Sequence, residues 1–192
     1  EQAARLWHFL RQGGRHNALQ LYRCMANEWL GRDYPWTEPQ TLPRSAIYHP
    51  QHSIPELAHW QADWQVGQPV AALLFYRSHL QAANTAFVDV FCQRLLAAGL
   101  NPLPIAVASL KEPGCLAMVQ DVLDEVGAGV ILNTTGFAQS SPEAPHMRPF
   151  RRNIPVIQAI CAQDNEPGWR ESEQGLGPRD LAMHIALPEL DG

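Results

Sequence analysis

The chain has 192 residues, 46% of them hydrophobic, enough to bury a core as one domain with an appendage or as two small domains. Its formal net charge of −5 comes from 19 acids against 14 bases, all of them Arg except Lys111, and no basic patch or stripe appears along the sequence, which argues against a nucleic-acid surface. No apolar run approaches the ~20 residues of a membrane span and no signal-type N-terminus is present, so the chain is expected to be cytoplasmic with no membrane partner.

Leu6, Trp7 and Leu10 follow a helical stripe with no initiator Met before them, and the far end stops at Pro188-Glu189-Leu190-Asp191-Gly192. The sequence is therefore expected to be a piece of a longer protein, truncated at its C-terminus. Five of the six Trp and five of the eight His lie before residue 65, whereas β-branched apolar runs concentrate after residue 69. That shift divides a helical, Pro-rich segment, 1–67, from an α/β domain, 68–192, with the boundary near Gly67.

In the first segment Leu19, Tyr22, Met25, Ala26, Trp29 and Leu30 recur at three- and four-residue spacing and predict a helix over 17–30. Asn17 and Gln20 are placed as its capping box and Gly31 as its stop. Five prolines between Pro35 and Pro55 predict an extended connector that wraps rather than packs. Ser53-Ile54-Pro55-Glu56 has the spacing of a second helix start, with Leu57, Trp60 and Trp64 as the face turned to the α/β domain. His49, His52 and His59 invite a metal reading, but they straddle a loop and a helix without a matching Cys or acid, and solvated loop histidines are expected instead. Cys24, Cys92, Cys115 and Cys161 each sit in apolar surroundings without a CxxC pair, as free buried thiols do.

The second segment alternates strand and helix. Strands are expected at 70–76, 104–108, 130–132, 155–160 and 181–187. Helices are expected at 85–98 and 113–126, with a short one at 167–174. This pattern predicts an open, mostly parallel flavodoxin-like sheet of five strands, order 2-1-3-4-5, with helices on both faces.

Ligands of such sheets bind beyond the carboxyl ends of the strands, near the switch point. Arg77, Ser78 and His79 stand at the first of those ends, and Asn84 and Thr85 at the following helix start, where backbone N–H groups favour an anion. The third strand leads into Asn133-Thr134-Thr135-Gly136, with Gly136 allowing close backbone approach. Gln158 places an amide on an apolar strand, where it needs a partner. Each has a plainer structural reading as a cap, a turn residue or, for Arg77, the ion-pair partner of an acid such as Asp89. Their convergence on one edge favours a polar pocket or contact surface. No P-loop, G-x-G-x-x-G turn or G-x-S-x-G elbow is present.

Three stretches, F-Y-R-S-H-L-Q-A-A-N-T-A-F (75–87), L-N-T-T-G-F-A (132–138) and Q-G-L-G-P-R-D-L-A-M-H-I-A-L-P-E-L-D-G (174–192), resemble the family of cobaltochelatase large subunits (CobN) and magnesium-chelatase H subunits. The likeness extends through the Pro-rich L-P-R-S-A-I-Y-H-P segment. A glycine is the family's expected residue where this chain has Ala83.

The resemblance implies a segment of the large subunit of an ATP-dependent cobaltochelatase, a ligase forming nitrogen–metal bonds. That subunit holds the corrin, hydrogenobyrinic acid a,c-diamide, and the cobalt ion that is inserted in aerobic cobalamin biosynthesis. It further implies two smaller partner subunits, one an AAA+ ATPase carrying ATP and Mg, together with the remainder of the large subunit. No cofactor is expected to be tightly bound to this segment, which is expected to be inactive alone. The chemistry then suggests Arg77, Ser78, Asn84, Thr85, Thr134, Thr135, Gly136 and Gln158 as partners of the corrin side arms, and His79 for metal or proton transfer. The alternatives are a scaffold or docking module of the same subunit, or a flavodoxin-like domain for a small ligand such as a flavin.

Overall fold

A computed structural model describes residues 1–136, 150–162, 170–171, 173 and 175–189. Helices α1 (Gln2–Gln12) and α2 (Gly14–Leu30) pack on each other around Phe9, Leu21 and Cys24, with Leu6, Met25 and Trp36 alongside. Gly13 joins them at φ 65° with its Cα against the Gln81 carbonyl, so a side chain there would meet both a backbone clash and an unfavourable conformation. Gly31 ends α2 in the left-handed region, as its position in the sequence suggests.

The expected Asn17/Gln20 capping box is not what these residues form. Asn17, 1% exposed, donates to the Gly13 and Gln40 carbonyls and accepts from the Gln40 amide, while Gln20 accepts from the Thr37 amide. Both sit inside the N-terminal end of α2 and hold the Pro-rich connector down along it. Extended backbone without its own ladder needs such partners for its polar groups.

The connector then supplies a strand that the sequence conceals. Among the described residues the sheet has five strands, β1 (Ser45–Ile47), β2 (Val70–Tyr76), β3 (Asn101–Val107), β4 (Val130–Asn133) and β5 (Val156–Gln158), in the order β1-β3-β2-β4-β5. All neighbours are parallel except β1, which runs antiparallel to β3. The order of the four parallel strands is the expected one. The fifth place, however, belongs to β1 at the opposite edge. Residues 181–187 are helical, within α7 (Pro178–Leu181), a π-helical turn (Ala182–Ala186) and α8 (Leu187–Glu189). Pro178 at the first helical turn favours that outcome, and Leu181 and Ile185, one helical turn apart, remain 45% and 39% exposed. The expected helix at 167–174 falls largely outside the described residues.

β2 is the centre of the core: Ala71 to Phe75 are each 0% exposed, and burying a Leu such as Leu73 contributes about 1.5–3 kcal/mol. α5 (Ala86–Ala97) and α6 (Pro113–Val126) add Val88, Cys92, Val119 and Leu123 to it. α3 (Leu57–Asp63) lies on the same core through Trp60, flanked by Leu57 and Trp64, so β1 and α3, both before Gly67, pack on this sheet. The two indoles also satisfy their donors, Trp60 Nε1 to the Tyr48 carbonyl at 2.6 Å and Trp64 Nε1 to the Pro102 carbonyl at 2.9 Å. No helix among the described residues is long and apolar enough to cross a membrane.

Of the histidines His49, His52 and His59, His52 is exposed as expected, whereas His49 is buried. His49 is 3% exposed, packed 4.6 Å from both the His52 and Trp60 rings, and His52 stacks on His59 at 3.7 Å. His49 uses Nδ1 to accept from the Gln51 amide and Nε2 to meet Asp63 Oδ2, and His59 Nδ1 accepts from the Glu56 amide. Those bonds occupy lone pairs that a metal would need. Among the described residues no group of three or more His, Cys, Asp or Glu is placed to hold a metal ion.

Candidate functional site

The carboxyl ends of β2 and β4 bring the sequence-predicted residues to one edge, where they divide into three groups. In the first, Arg77 continues β2 as its amide donates to the Val107 carbonyl. Its side chain turns to the connector, with Nε 2.6 Å from the Pro43 carbonyl and an Nη 2.9 Å from the Leu42 carbonyl. Asp89 is not its partner. Burial, and after it the charge of Arg44, lower the Arg77 pKa, against the opposing influence of Cys115 and of the Glu112 carboxylate. Arg11, Arg44 and Arg77 line one open groove of about 440 Å³ together with Leu42 and Gln81.

The second group surrounds the start of α5. A short helix, α4 (Ser78–Gln81), follows Arg77, and the chain then turns through Ala83 at φ 53°, the left-handed region. Ser78 and Asn84 are exposed. His79 is half-buried with its ring 4.7 Å from Phe87 and 6.5 Å from Phe75, and burial lowers its pKa, with a backbone contact to Asn84 opposing. Thr85 flanks α5 without a side-chain cap bond. Its hydroxyl lies 2.9 Å from Tyr48 Oη, which is also 2.8 Å from Asp89 Oδ1. The phenol has one proton, and the carboxylate is its stronger acceptor. Burial pushes the Tyr48 pKa to about 12, so it remains a neutral donor.

The third group is a network closed on itself at the end of β4. Thr134, 5% exposed, donates its hydroxyl to the Leu74 carbonyl, and the Thr135 hydroxyl, 3% exposed, donates to Asn133 Oδ1 at 2.7 Å. Asn133 donates to Gln158 Oε1 at 3.0 Å, and Gln158 donates to the Thr135 carbonyl at 2.9 Å. Gln158 thus has its partner, on the neighbouring strand. The Gly136 amide donates to Tyr76 Oη at 3.0 Å. The close backbone approach expected of Gly136 is to another part of the chain: a Cβ there would lie 2.6 Å from the Met183 carbonyl. As placed, Thr134, Thr135 and Gly136 are spent on internal contacts, whereas Ser78, Asn84 and the arginine groove face outward and His79 lies half-buried beside them.

The residues missed by sequence reading are Tyr48, Arg44 and Arg11. Tyr48 and Arg44 flank the hidden strand β1, and Arg11 ends α1. The arrival of Tyr48 and Arg44 depends on the path of the connector, and that of Arg11 on the packing of the α1 end against Gln81, neither of which a local pattern encodes.

The CobN/Magnesium Chelatase family model matches residues 7–192. The aerobic cobaltochelatase subunit CobN of Pseudomonas aeruginosa is 67% identical over 192 residues, covering 100% of this chain and 15% of that protein. That of Sinorhizobium sp is 32% identical over 198 residues, 98% of this chain and 16% of the relative. The magnesium-chelatase H subunit of Rhodobacter capsulatus is 29% identical over 164 residues, 80% of this chain and 13% of its own. Among solved structures, the catalytic subunit of cobaltochelatase from Mycobacterium tuberculosis superposes with a TM-score of 0.75 at 25% identity, over 99% of this chain and 16% of that one. The chain therefore spans roughly one sixth of the length of the cobaltochelatase relatives it matches.

Proposed function

Since the chain belongs to the CobN/magnesium chelatase family, we propose that it forms part of the large subunit of a cytoplasmic, ATP-dependent cobaltochelatase, a ligase that inserts Co²⁺ into hydrogenobyrinic acid a,c-diamide in aerobic cobalamin biosynthesis. The observation that carries this reading is the 67% identity to a cobaltochelatase subunit along the whole chain. Partner subunits, one an AAA+ ATPase, supply the ATP and Mg, in keeping with a chain that has no nucleotide loop.

Within that subunit the outward-facing edge at the end of β2 contributes to the corrin contact. Metal insertion requires stripping water from Co²⁺ and removing protons from the macrocycle, and the side arms need charged or amide partners. Arg77, Ser78, Asn84 and Thr85 supply the polar groups. His79, kept neutral by burial, has a lone pair for a metal or proton. Thr134, Thr135, Gly136 and Gln158 support this edge from behind by fixing the β4 turn against β2. Spectral titration of the intact large subunit with cobalt-free corrin tests the reading. Asn84→Ala and Arg77→Ala are expected to weaken binding about tenfold each, as removal of a charged or amide partner does. Unchanged binding and unchanged cobalt insertion in both variants would defeat it.

One observation favours a scaffolding role in the same subunit. Trp7, Leu10, Leu19, Tyr22, Trp29 and Leu30 on α1 and α2 are between 48% and 71% exposed, more apolar surface than scattered exposure explains. Under that reading the α1–α2 face seats the rest of the large subunit. Charged substitutions at Trp7 and Trp29 would then lower the yield of folded subunit while leaving corrin affinity intact.

A further inference from the structure

We propose that the groove framed by Arg11, Arg44 and Arg77 is a binding site for a small polyanion, its oxyanions taken by guanidinium groups drawn from three distant parts of the chain. The three bases come from the end of α1, from the residue before β1 and from the residue after β2. No basic stripe exists in the sequence, and the fold makes one.

Charge accounting favours an anion. The carboxylate that meets this group is Glu112, which Arg44 engages through Nε and an Nη. Arg44 holds the Glu112 pKa down, so that carboxylate stays charged at neutral pH. Arg77 is paired to two backbone carbonyls, which orient it and carry no net charge. Arg11 accepts from Gln81 Nε2 through its backbone carbonyl, which leaves its guanidinium for a ligand. Three guanidiniums thus share one carboxylate around an open space of about 440 Å³, large enough for a ligand group of several atoms.

Planar forks with free N–H groups suit carboxylate or phosphate oxygens alike. The anion preference follows from the groove alone. Its assignment to the carboxylate arms of a corrin rests on the proposed function, with the phosphates of a nucleotide as the competing source.

The test is calorimetric titration of the full chain at low ionic strength with citrate and with pyrophosphate. Cobalt-free corrin then follows, with its carboxylates free or converted to amides. At least one of the two simple anions is expected to bind one to one and to be displaced by salt. Arg11→Ala should weaken that binding about tenfold, and Glu112→Gln, which relieves Arg44, should tighten it several-fold. Neither substitution alters the core, so thermal melting of both variants should match the parent. Absence of binding by both anions, or binding indifferent to both substitutions, overturns the site. Anion binding with the expected variant pattern, but no preference for the free-carboxylate corrin over its amide, leaves the groove standing and removes the corrin from it. Tighter binding of pyrophosphate than citrate together with that outcome assigns it to a phosphate ligand.

Discussion

Asn17 and Gln40 hold each other reciprocally: the Asn17 amide donates to the Gln40 carbonyl at 2.8 Å while its oxygen accepts from the Gln40 amide at 2.9 Å. A buried side chain on α2 thereby acts as the ladder partner of a connector residue 23 positions away. The connector goes on from there to Leu42 and Pro43, whose carbonyls fix Arg77. Asn17→Ala should therefore cost about 2 kcal/mol in urea unfolding, the scale for removing a buried polar group and leaving its former partners unmet. It should also raise protease cleavage within 32–44. Undiminished stability with unchanged cleavage would show that the connector is held by other interactions.

Ala83 occupies the left-handed region at φ 53°, alone in this among the described non-glycine residues. An L-residue there costs about 1–2 kcal/mol, and glycine returns about 0.4–1 kcal/mol of that through unfolded-state entropy. Ala83→Gly should then stabilise the chain by about 0.5–1 kcal/mol, seen as a higher melting temperature. A destabilised variant would mean that the methyl group has a packing role outweighing the strain.

The same residue shows what the sequence could and could not disclose. Resemblance to the chelatase family marks Ala83 as a departure from glycine, but only the backbone shows why glycine belongs there. The parallel strands were legible because β2 and β3 are continuous apolar runs closed by helices with clear faces, and this periodicity survives any tertiary context. β1 was not, since three residues between prolines carry no period, and Pro104 ends its ladder by lacking an N–H. The run Leu181 to Leu187 is seven residues of mostly apolar character, a length at which strand and helix patterns coincide. Arg77, Ser78, His79 and Asn84 were legible as residues that follow the carboxyl end of β2, where the structure has them. Arg44 was invisible because the connector that brings it there is positioned by Asn17 and Gln20, which look from the sequence like caps, and Arg11 because the packing of α1 against the α4 turn through Gln81 has no local signal.

Gly136 tests whether the β4 turn is fixed by close packing. Its Cα faces the Met183 carbonyl so closely that an added methyl would stand 2.6 Å away, and its amide is held by Tyr76. Gly136→Ala should cost about 1–3 kcal/mol, as overpacking against backbone does. Tyr76→Phe, which removes the acceptor, should cost about 1 kcal/mol. Differential scanning calorimetry of both variants would check the ranking, and a neutral Gly136→Ala would remove the turn from any supporting role at the edge.

Acid stability should report on His79. Burial holds its folded pKa below the ordinary 6.5, so the unfolded chain takes up the proton first as the pH falls. Its contribution to stability is thus fully present above about pH 6.5 and is lost as the pH falls through the lower folded value. His52, exposed but lowered by desolvation and then by the neighbouring His59 and His49, acts in the same direction, more weakly because solvent screens it. Urea unfolding between about pH 5 and pH 8 should accordingly show stability declining on the acid side, beyond what carboxylates of ordinary pKa can cause so near neutrality. His79→Phe, which keeps the ring packing with Phe75 and Phe87, should flatten part of that decline, and His52→Gln a further part. An unaltered pH profile in His79→Phe would show that the imidazole gains its proton in the folded chain as easily as in water, and with it would go the neutral lone pair on which its role toward metal or proton depends.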